Sequence, residues 1–340
     1  MSVPEVKGNI VALVYNFIKD PIGFLDQQFE EKGDVVKLKL VLKNFHATRN
    51  PKWMDHVFVK NHKNYEKDFS MEQIEIALGK GLLTNKGDSW FKQRRLAQPA
   101  FYKKRLEGLV DIMENLTDEH IAKFQKMRSG HKIYIDQEML TLTASIVLET
   151  LLGEKMNSQL KEVQKTIAVV QDYIIKRVRI PFYINYSELF GEHKKFLNLI
   201  SEMDEIIYEI IKRRKAHPTE DSNLISMLIE AEDADTGERM SDKQLRDELV
   251  TIYVAGHETS AYALSWTFYE LMQNPDVVKK IKEEVSSIIQ DGKIGTDGLK
   301  KLVYTSAVIQ ESMRLHPPAY FVSRVCAEDD IIDGVPISKN

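Results

Sequence analysis

A single cysteine, Cys326, occurs in the 340 residues of this chain. That excludes an internal disulfide and any metal site built from cysteines alone within the chain, and it fits a reducing compartment. No apolar run approaches the ~20 residues of a membrane-spanning helix. The most apolar early stretch, residues 10–18, contains Asn16 and is followed by Lys19 and Asp20. A basic leader with a small-residue cleavage site is also missing. The expectation is a cytoplasmic protein with no membrane anchor. Positive charge is not in excess: 47 Lys and Arg against 51 Asp and Glu leave a net −4. No nucleic-acid partner is expected, although the basic residues suffice for a local patch facing another protein. Internal repeats and low-complexity linkers are absent too.

What is present has a globular balance, with 43% apolar and 29% charged residues. The length allows one large domain or two ordinary ones. No internal boundary stands out, so residues 1–340 read as a single domain. Most of it reads as helix. Residues 21–32 carry Phe24, Leu25 and Phe29 on one face. At 34–42 the period changes to that of a strand, with 45–48 as its hairpin partner. Pro51 suits the first position of a helix that carries Trp53, Val57 and Phe58 on one side. A basic helix is predicted at 89–98. Residues 106–127 form another, with Leu109, Met113, Leu116 and Ile121 on a buried face. Residues 136–152 are apolar nearly all round and read as a central helix. Long helices follow at 158–180 and 193–217, separated by a loop with Pro181, Tyr183 and Tyr186. Polar turns are expected at 219–222 and 231–237. Ser241 and Asp242 offer N-caps for a long helix ended by Pro275. Further helices are predicted at 275–289 and 301–315, then β-prone pieces at 320–326 and 331–337 around an Asp333-Gly334 turn.

In the middle of the long helix stands Ala255-Gly256-His257-Glu258-Thr259-Ser260. Glycine costs about 1 kcal/mol relative to alanine in a helix interior, and Thr and Ser hydroxyls can bond back to the carbonyl four residues earlier. Gly256 and Thr259 together predict a local kink or widening with room for a small molecule. Beside it are a carboxylate, Glu258, and a hydroxyl, Thr259, the pair a proton-consuming reaction needs. A plainer alternative has Gly256 permitting close helix packing while the polar groups face solvent. A zinc-hydrolase reading of His257-Glu258 fails on spacing, because Ala261 stands where a second histidine is required.

A second motif, Glu311-Ser312-Met313-Arg314, precedes Leu315-His316-Pro317-Pro318. Glu311 and Arg314 share a helix face and can pair. By itself such a pair is an ordinary surface ion pair worth under about 1 kcal/mol.

The two motifs, in this order and roughly fifty residues apart, resemble the cytochrome P450 family. The resemblance covers essentially the whole chain. It implies a mainly α fold, a large helical domain with a small antiparallel β-sheet, and a haem cofactor (heme, iron protoporphyrin IX). On this reading Ala255, Gly256, Glu258 and Thr259 form the oxygen pocket, and Glu311 and Arg314 lie on the helix beneath the haem. Trp90-Phe91-Lys92-Gln93-Arg94-Arg95 matches the W-x-x-x-R helix, which assigns Trp90 and Arg94 to the haem propionates. Guanidinium suits a carboxylate. Lys92 and Arg95 read as a solvated basic face, and Arg324 as a further propionate ligand.

The sequence departs from the family in one respect. The family's iron is held by a cysteine in a glycine-rich loop well downstream of E-x-x-R, and no such loop precedes Asn340. The fold is therefore expected to be incomplete at its C-terminus, with the axial cysteine beyond Asn340. Cys326 lacks the Phe and Gly framework and reads as a buried small residue. For the complete protein the resemblance implies insertion of one atom of O2 into an apolar small-molecule substrate, such as a fatty acid. Electrons would come from a separate partner, a ferredoxin or flavoprotein reductase. Substrate-lining candidates lie at 71–83 and 181–189. The competing reading is a non-catalytic helical binding protein that keeps the pocket without iron chemistry.

Overall fold

The computed structural model describes residues 3–339 apart from 41–42, 156, 181, 219–222, 234–235 and 290–291. The turn predicted at 219–222, the far end of the strand predicted at 34–42, and Pro181 lie outside the described residues. The early helices are α1 (Ile10–Lys19), α2 (Pro21–Lys32), α3 (Pro51–Asp55), α4 (Phe69–Leu78), α5 (Gly87–Ala97), α6 (Lys103–Glu107), α7 (Val110–Gln125) and α8 (Ile135–Leu152). Then come α9 (Ser158–Arg179), α10 (Tyr183–Leu189), α11 (Glu192–Ala216), α12 (Leu224–Glu230), α13 (Asp242–Gln273), α14 (Pro275–Ile288), α15 (Gly295–Leu299) and α16 (Val303–Leu315). The strands are β1 (Val35–Leu40), β2 (Lys43–Thr48), β3 (Tyr65–Glu66), β4 (Val325–Cys326), β5 (Asp330–Ile332) and β6 (Val335–Ile337). The mainly helical architecture with minor antiparallel sheet is the one the sequence predicts.

The chain divides into two compact units. The first comprises Met1–Gln73, Ile174–Phe190 and Ser323–Asn340. It holds three antiparallel pairs: β1 with β2, β3 with β4, and β5 with β6. The last pair turns at Asp333 (φ 49°) and Gly334 (φ 78°), two successive left-handed residues that match the right-handed twist of a tight hairpin. Phe24 and Phe29 of α2 pack with Val36 and Leu38 of β1. Trp53 of α3 packs with Ile332 and Val335. The stretch predicted as a tyrosine-bearing loop is instead the short helix α10. Tyr183, Tyr186 and Phe190 recur on one helical face, with ring centroids 5.9 and 4.6 Å apart, and this local stacking favours the helical turn.

The second unit, Ile74–Tyr173 with Gly191–Val322, is a helical body around α13. Ser241 caps α13 reciprocally. Its Oγ accepts from the Gln244 amide at 3.2 Å, and Gln244 Oε1 accepts from the Ser241 amide at 2.9 Å. Pro275 then opens α14. α13 packs along α8 and also contacts α11 and α16. Leu148 and Leu151 of α8, Leu245 and Leu249 of α13, Ile211 of α11 and Leu228 of α12 meet in one buried cluster. Each such side chain contributes about 1.5–3 kcal/mol when fully buried.

The helix predicted at 106–127 is broken at Gly108 into α6 and α7. Leu109 is buried as expected, but Met113 and Ile121 are exposed. At about 100° per residue, Ile121 lies about 120° around from Leu109, whereas His120 lies only about 20° away. His120 is the buried residue of α7, and its Nε2 lies 3.0 Å from Glu138 Oε2 of α8.

Candidate functional site

The long helix α13 is buried at Tyr253, His257 and Ala261 but exposed at Ala255, Thr259, Tyr262, Trp266 and Tyr269. Those exposed positions recur at alternating intervals of four and three, a single stripe along the helix. Small residues begin the stripe at the middle of the helix and aromatic rings continue it toward the C-terminal end. Gly256 sits beside the stripe and faces α8. A Cβ there would meet Val147 Cγ2 at 3.5 Å, an ordinary contact, so close packing does not require glycine at this position.

The histidine of the motif points elsewhere. His257 is buried, and its Nε2 lies 3.0 Å from the Leu140 carbonyl of α8. Burial pushes its pKa down, with a smaller opposing effect from that bond, so Nε2–H of a neutral ring donates to Leu140. His257 thus braces α8 against α13. Among the described residues no group of three His, Cys, Asp or Glu side chains could hold a metal ion.

Glu258 is half-buried, and its Oε2 accepts from Gln171 Nε2 of α9 at 3.1 Å. Burial pushes its carboxyl pKa up, against a smaller downward pull from Gln171. A raised carboxyl pKa is what a proton donor near neutral pH requires. Tyr253 on the same helix is buried, and its hydroxyl has no hydrogen-bond partner among the described residues. Thr259 Oγ1 donates to the Ala255 carbonyl at 2.5 Å. The predicted widening does not occur: α13 stays α-helical from Asp242 to Gln273. The hydroxyl satisfies itself on its own helix without opening the turn.

The second cluster is on α5. Trp90 Nε1 donates to the Leu82 carbonyl at 2.9 Å. The indole carries the Arg94 guanidinium, whose carbon lies 5.2 Å from the ring centroid. The bases beside it are already neutralised: Arg95 Nη2 lies 2.6 Å from Asp233 Oδ2, and Lys92 bonds Glu238. The solvated face predicted for those two is therefore a pair of ion pairs. Arg94 is exposed and has no carboxylate partner among the described residues.

A tight turn at 79–82 joins the two clusters. Gln93 of α5 donates to the Lys80 carbonyl at 2.8 Å, while the Lys80 amide donates to Asp247 Oδ2 of α13 at 2.9 Å. Gly79 has φ 68°, and a Cβ on Gly81 would fall 2.1 Å from Thr251 Oγ1 and 2.8 Å from the Asp247 carbonyl. Only glycine lets the backbone approach α13 this closely.

On α16, Arg314 Nε and Nη2 bond the two oxygens of Glu311 at 2.8 and 2.7 Å. The pair is exposed on both sides. The end of α16 is tied to α13 by His316, which stacks on Trp266 and lies 2.7 Å from Glu270 Oε1. Arg324 belongs to the other unit. Its Nη1 donates to the Ser323 carbonyl at 2.7 Å, and its guanidinium lies over Phe58, 5.0 Å from the centroid. Sequence reasoning missed Gln171, Tyr253, the 79–82 turn and the Trp266–His316 contact. Gln171 lies 87 residues from Glu258, so no local spacing marks it.

These residues fit a haem in two respects. The exposed stripe offers small residues, Ala255 and Thr259, in the middle of the long helix. The unneutralised Arg94 guanidinium suits a carboxylate side chain of the porphyrin. Cys326 does not fit as its ligand. Burial raises its thiol pKa despite bonds that lower it, and Sγ donates to the Glu328 carbonyl at 2.5 Å, whereas a metal takes the thiolate.

Residues 5–340 match the family model described as Cytochrome P450. The chain is similar to the Arabidopsis thaliana protein LUTEIN DEFICIENT 5, chloroplastic, at 28% identity over 99% of this chain and 59% of the relative. It is similar to cyclooctatin synthase of Streptomyces melanosporofaciens at 28% identity, over 93% of this chain and 68% of that one. It also matches, at 28% identity over 78% of its length, the Alternaria alternata bifunctional cytochrome P450/NADPH--P450 reductase ALT2, of which 25% is covered. The chain spans about three fifths of the plant relatives' length and about a quarter of the fused reductase. Among the described residues, no helix is long and apolar enough to cross a membrane.

Proposed function

Because the chain belongs to the cytochrome P450 family, we propose that it forms most of one P450 domain of a cytoplasmic haem-dependent monooxygenase. The complete protein would carry its iron on a cysteine beyond Asn340 and insert one atom of O2 into an apolar substrate, a fatty acid or similar molecule. Electrons would arrive from a separate ferredoxin or flavoprotein reductase. The observation that carries the reading is the exposed, small-residue Ala255–Thr259 face of the long central helix, with the half-buried acid Glu258 beside it.

Haem, when bound, supplies the oxygen activation. The chain's own side chains bind, orient and move protons. Arg94, held over the Trp90 ring, binds a carboxylate of the cofactor. Ala255 and Gly256 keep the helix face low, leaving space for an apolar molecule. Thr259 turns its hydroxyl from the Ala255 carbonyl toward that space by rotation about χ1. Glu258, protonated more readily than an exposed carboxylate, replenishes the proton that the hydroxyl passes on. The Glu311–Arg314 pair fixes the α16 face.

The test is to produce the chain joined to its downstream coding segment, with haem supplied. A thiolate-type spectrum with carbon monoxide after reduction, and hydroxylated fatty acid as product, are expected. Haem uptake without that spectrum, or no uptake, sinks the enzymatic reading and leaves a helical binding protein.

A further inference from the structure

We propose that Gln171 is a positioning residue for the Glu258 carboxyl, keeping that side chain directed at the exposed α13 face throughout a cycle of protonation. The inference rests on the proton-handling role proposed for Glu258. Gln171 Nε2 donates to Glu258 Oε2 at 3.1 Å, bridging α9 and α13, and both side chains are half-buried. Glu258 makes no ion pair among the described residues. Its orientation therefore depends on an uncharged partner.

The choice of an amide has a chemical consequence. A lysine or arginine there would hold the ionised carboxylate and oppose protonation, because it only donates. A leucine would leave the acid to sample its own rotamers. A carboxamide can do both jobs. Its NH2 donates to the carboxylate, and after a flip about its last torsion its oxygen accepts from the protonated acid. Glu258 can thus take up and release a proton without losing its partner. Among the described residues, the titratable groups that feel its charge are Tyr253 and Tyr262 of its own helix, both phenols pushed up chiefly by burial. Neither supplies a positive charge. His257 is turned to the Leu140 carbonyl.

The experiment uses Gln171→Leu and Gln171→Lys, two variants with opposite expected signs. First, the protonation of Glu258 is followed by infrared titration of the full chain, its band identified by loss in Glu258→Gln. Gln171→Leu is expected to move the midpoint to higher pH and Gln171→Lys to lower pH. An unchanged midpoint in both overturns the proposal, whatever the enzyme does. Second, in the completed enzyme the pH dependence of product formed per electron consumed is expected to move in the same two directions. A moved midpoint with an unmoved pH profile also overturns it, since the bond would then be structural only. A completed wild-type protein that makes no product sinks the monooxygenase reading instead, and the infrared midpoints still decide whether Gln171 controls Glu258.

Discussion

The imidazole of His316 lies flat on the indole of Trp266, with centroids 4.1 Å apart and planes 8° from parallel, while its Nε2 reaches Glu270 Oε1 at 2.7 Å. One side chain just past the end of α16 therefore grips α13 at two points four residues apart. His316→Ala is expected to lower the stability of the chain by about 1–2 kcal/mol, from the lost stack and hydrogen bond. The midpoint of urea denaturation reads this directly. Glu270→Gln keeps the stack and should cost less.

Thr259→Ala separates folding from chemistry. Among the described residues the hydroxyl bonds only to its own helix, at Ala255, so stability should change by less than about 0.5 kcal/mol. In the completed enzyme, the fraction of electrons recovered in product should fall by roughly tenfold or more, the scale of a lost proton-transfer group. The shortfall should appear as hydrogen peroxide. Full coupling in this variant would remove Thr259 from the proton route.

Two glycines should respond in opposite ways to the same substitution. At Gly256 a Cβ meets only Val147 at 3.5 Å, so Gly256→Ala should stabilise α13 by up to about 1 kcal/mol. At Gly81 the Cβ would collide with Thr251 Oγ1 and the Asp247 carbonyl, and Gly81→Ala should destabilise by roughly 1–3 kcal/mol. Thermal melts of the two variants side by side decide both.

This contrast also shows where sequence reading stops. The glycine inside a helical run, Gly256, was conspicuous by propensity, and its surroundings turn out to be tolerant. Gly79 and Gly81 look like any turn, yet they let a loop touch a helix some 170 residues away in sequence, at Asp247 and Thr251. Local signals did locate α13, its Ser241 cap, the Asp333-Gly334 hairpin and the Glu311–Arg314 pair, because each depends on residues within one turn or hairpin. Ile121 is exposed because apolar spacing alone does not fix a face: the helical angle that brings His120 under Leu109 carries Ile121 away from it. Within the candidate site, sequence named the groups proposed for the chemistry and missed the residues in contact with them. Gln171 and His316 act through contacts that only the folded chain creates.

Asp330 provides a test against pH. Burial alone would raise its carboxyl, but hydrogen bonds from His56, Tyr65, the Ile331 amide and Asn61 outweigh it and hold the pKa at about 2. A folded pKa below the unfolded one, about 3.9, stabilises fully above that value and is lost as pH falls toward about 2. Asp330→Asn should therefore lower stability near neutrality by on the order of 1–2 kcal/mol. It should also flatten the loss of stability on acidification below about pH 4. Denaturant midpoints measured across that window, for wild type and variant, check both.

The turn at 79–82 has a mechanical consequence. Its carbonyls receive Trp90 and Gln93 from α5, and its Lys80 amide is fastened to Asp247 on α13. The loop is thus a hydrogen-bonded strut between the helix that carries Trp90 and Arg94 and the long helix about two turns ahead of Ala255. The placement of α5 and that of the long helix are set by the same few peptide groups.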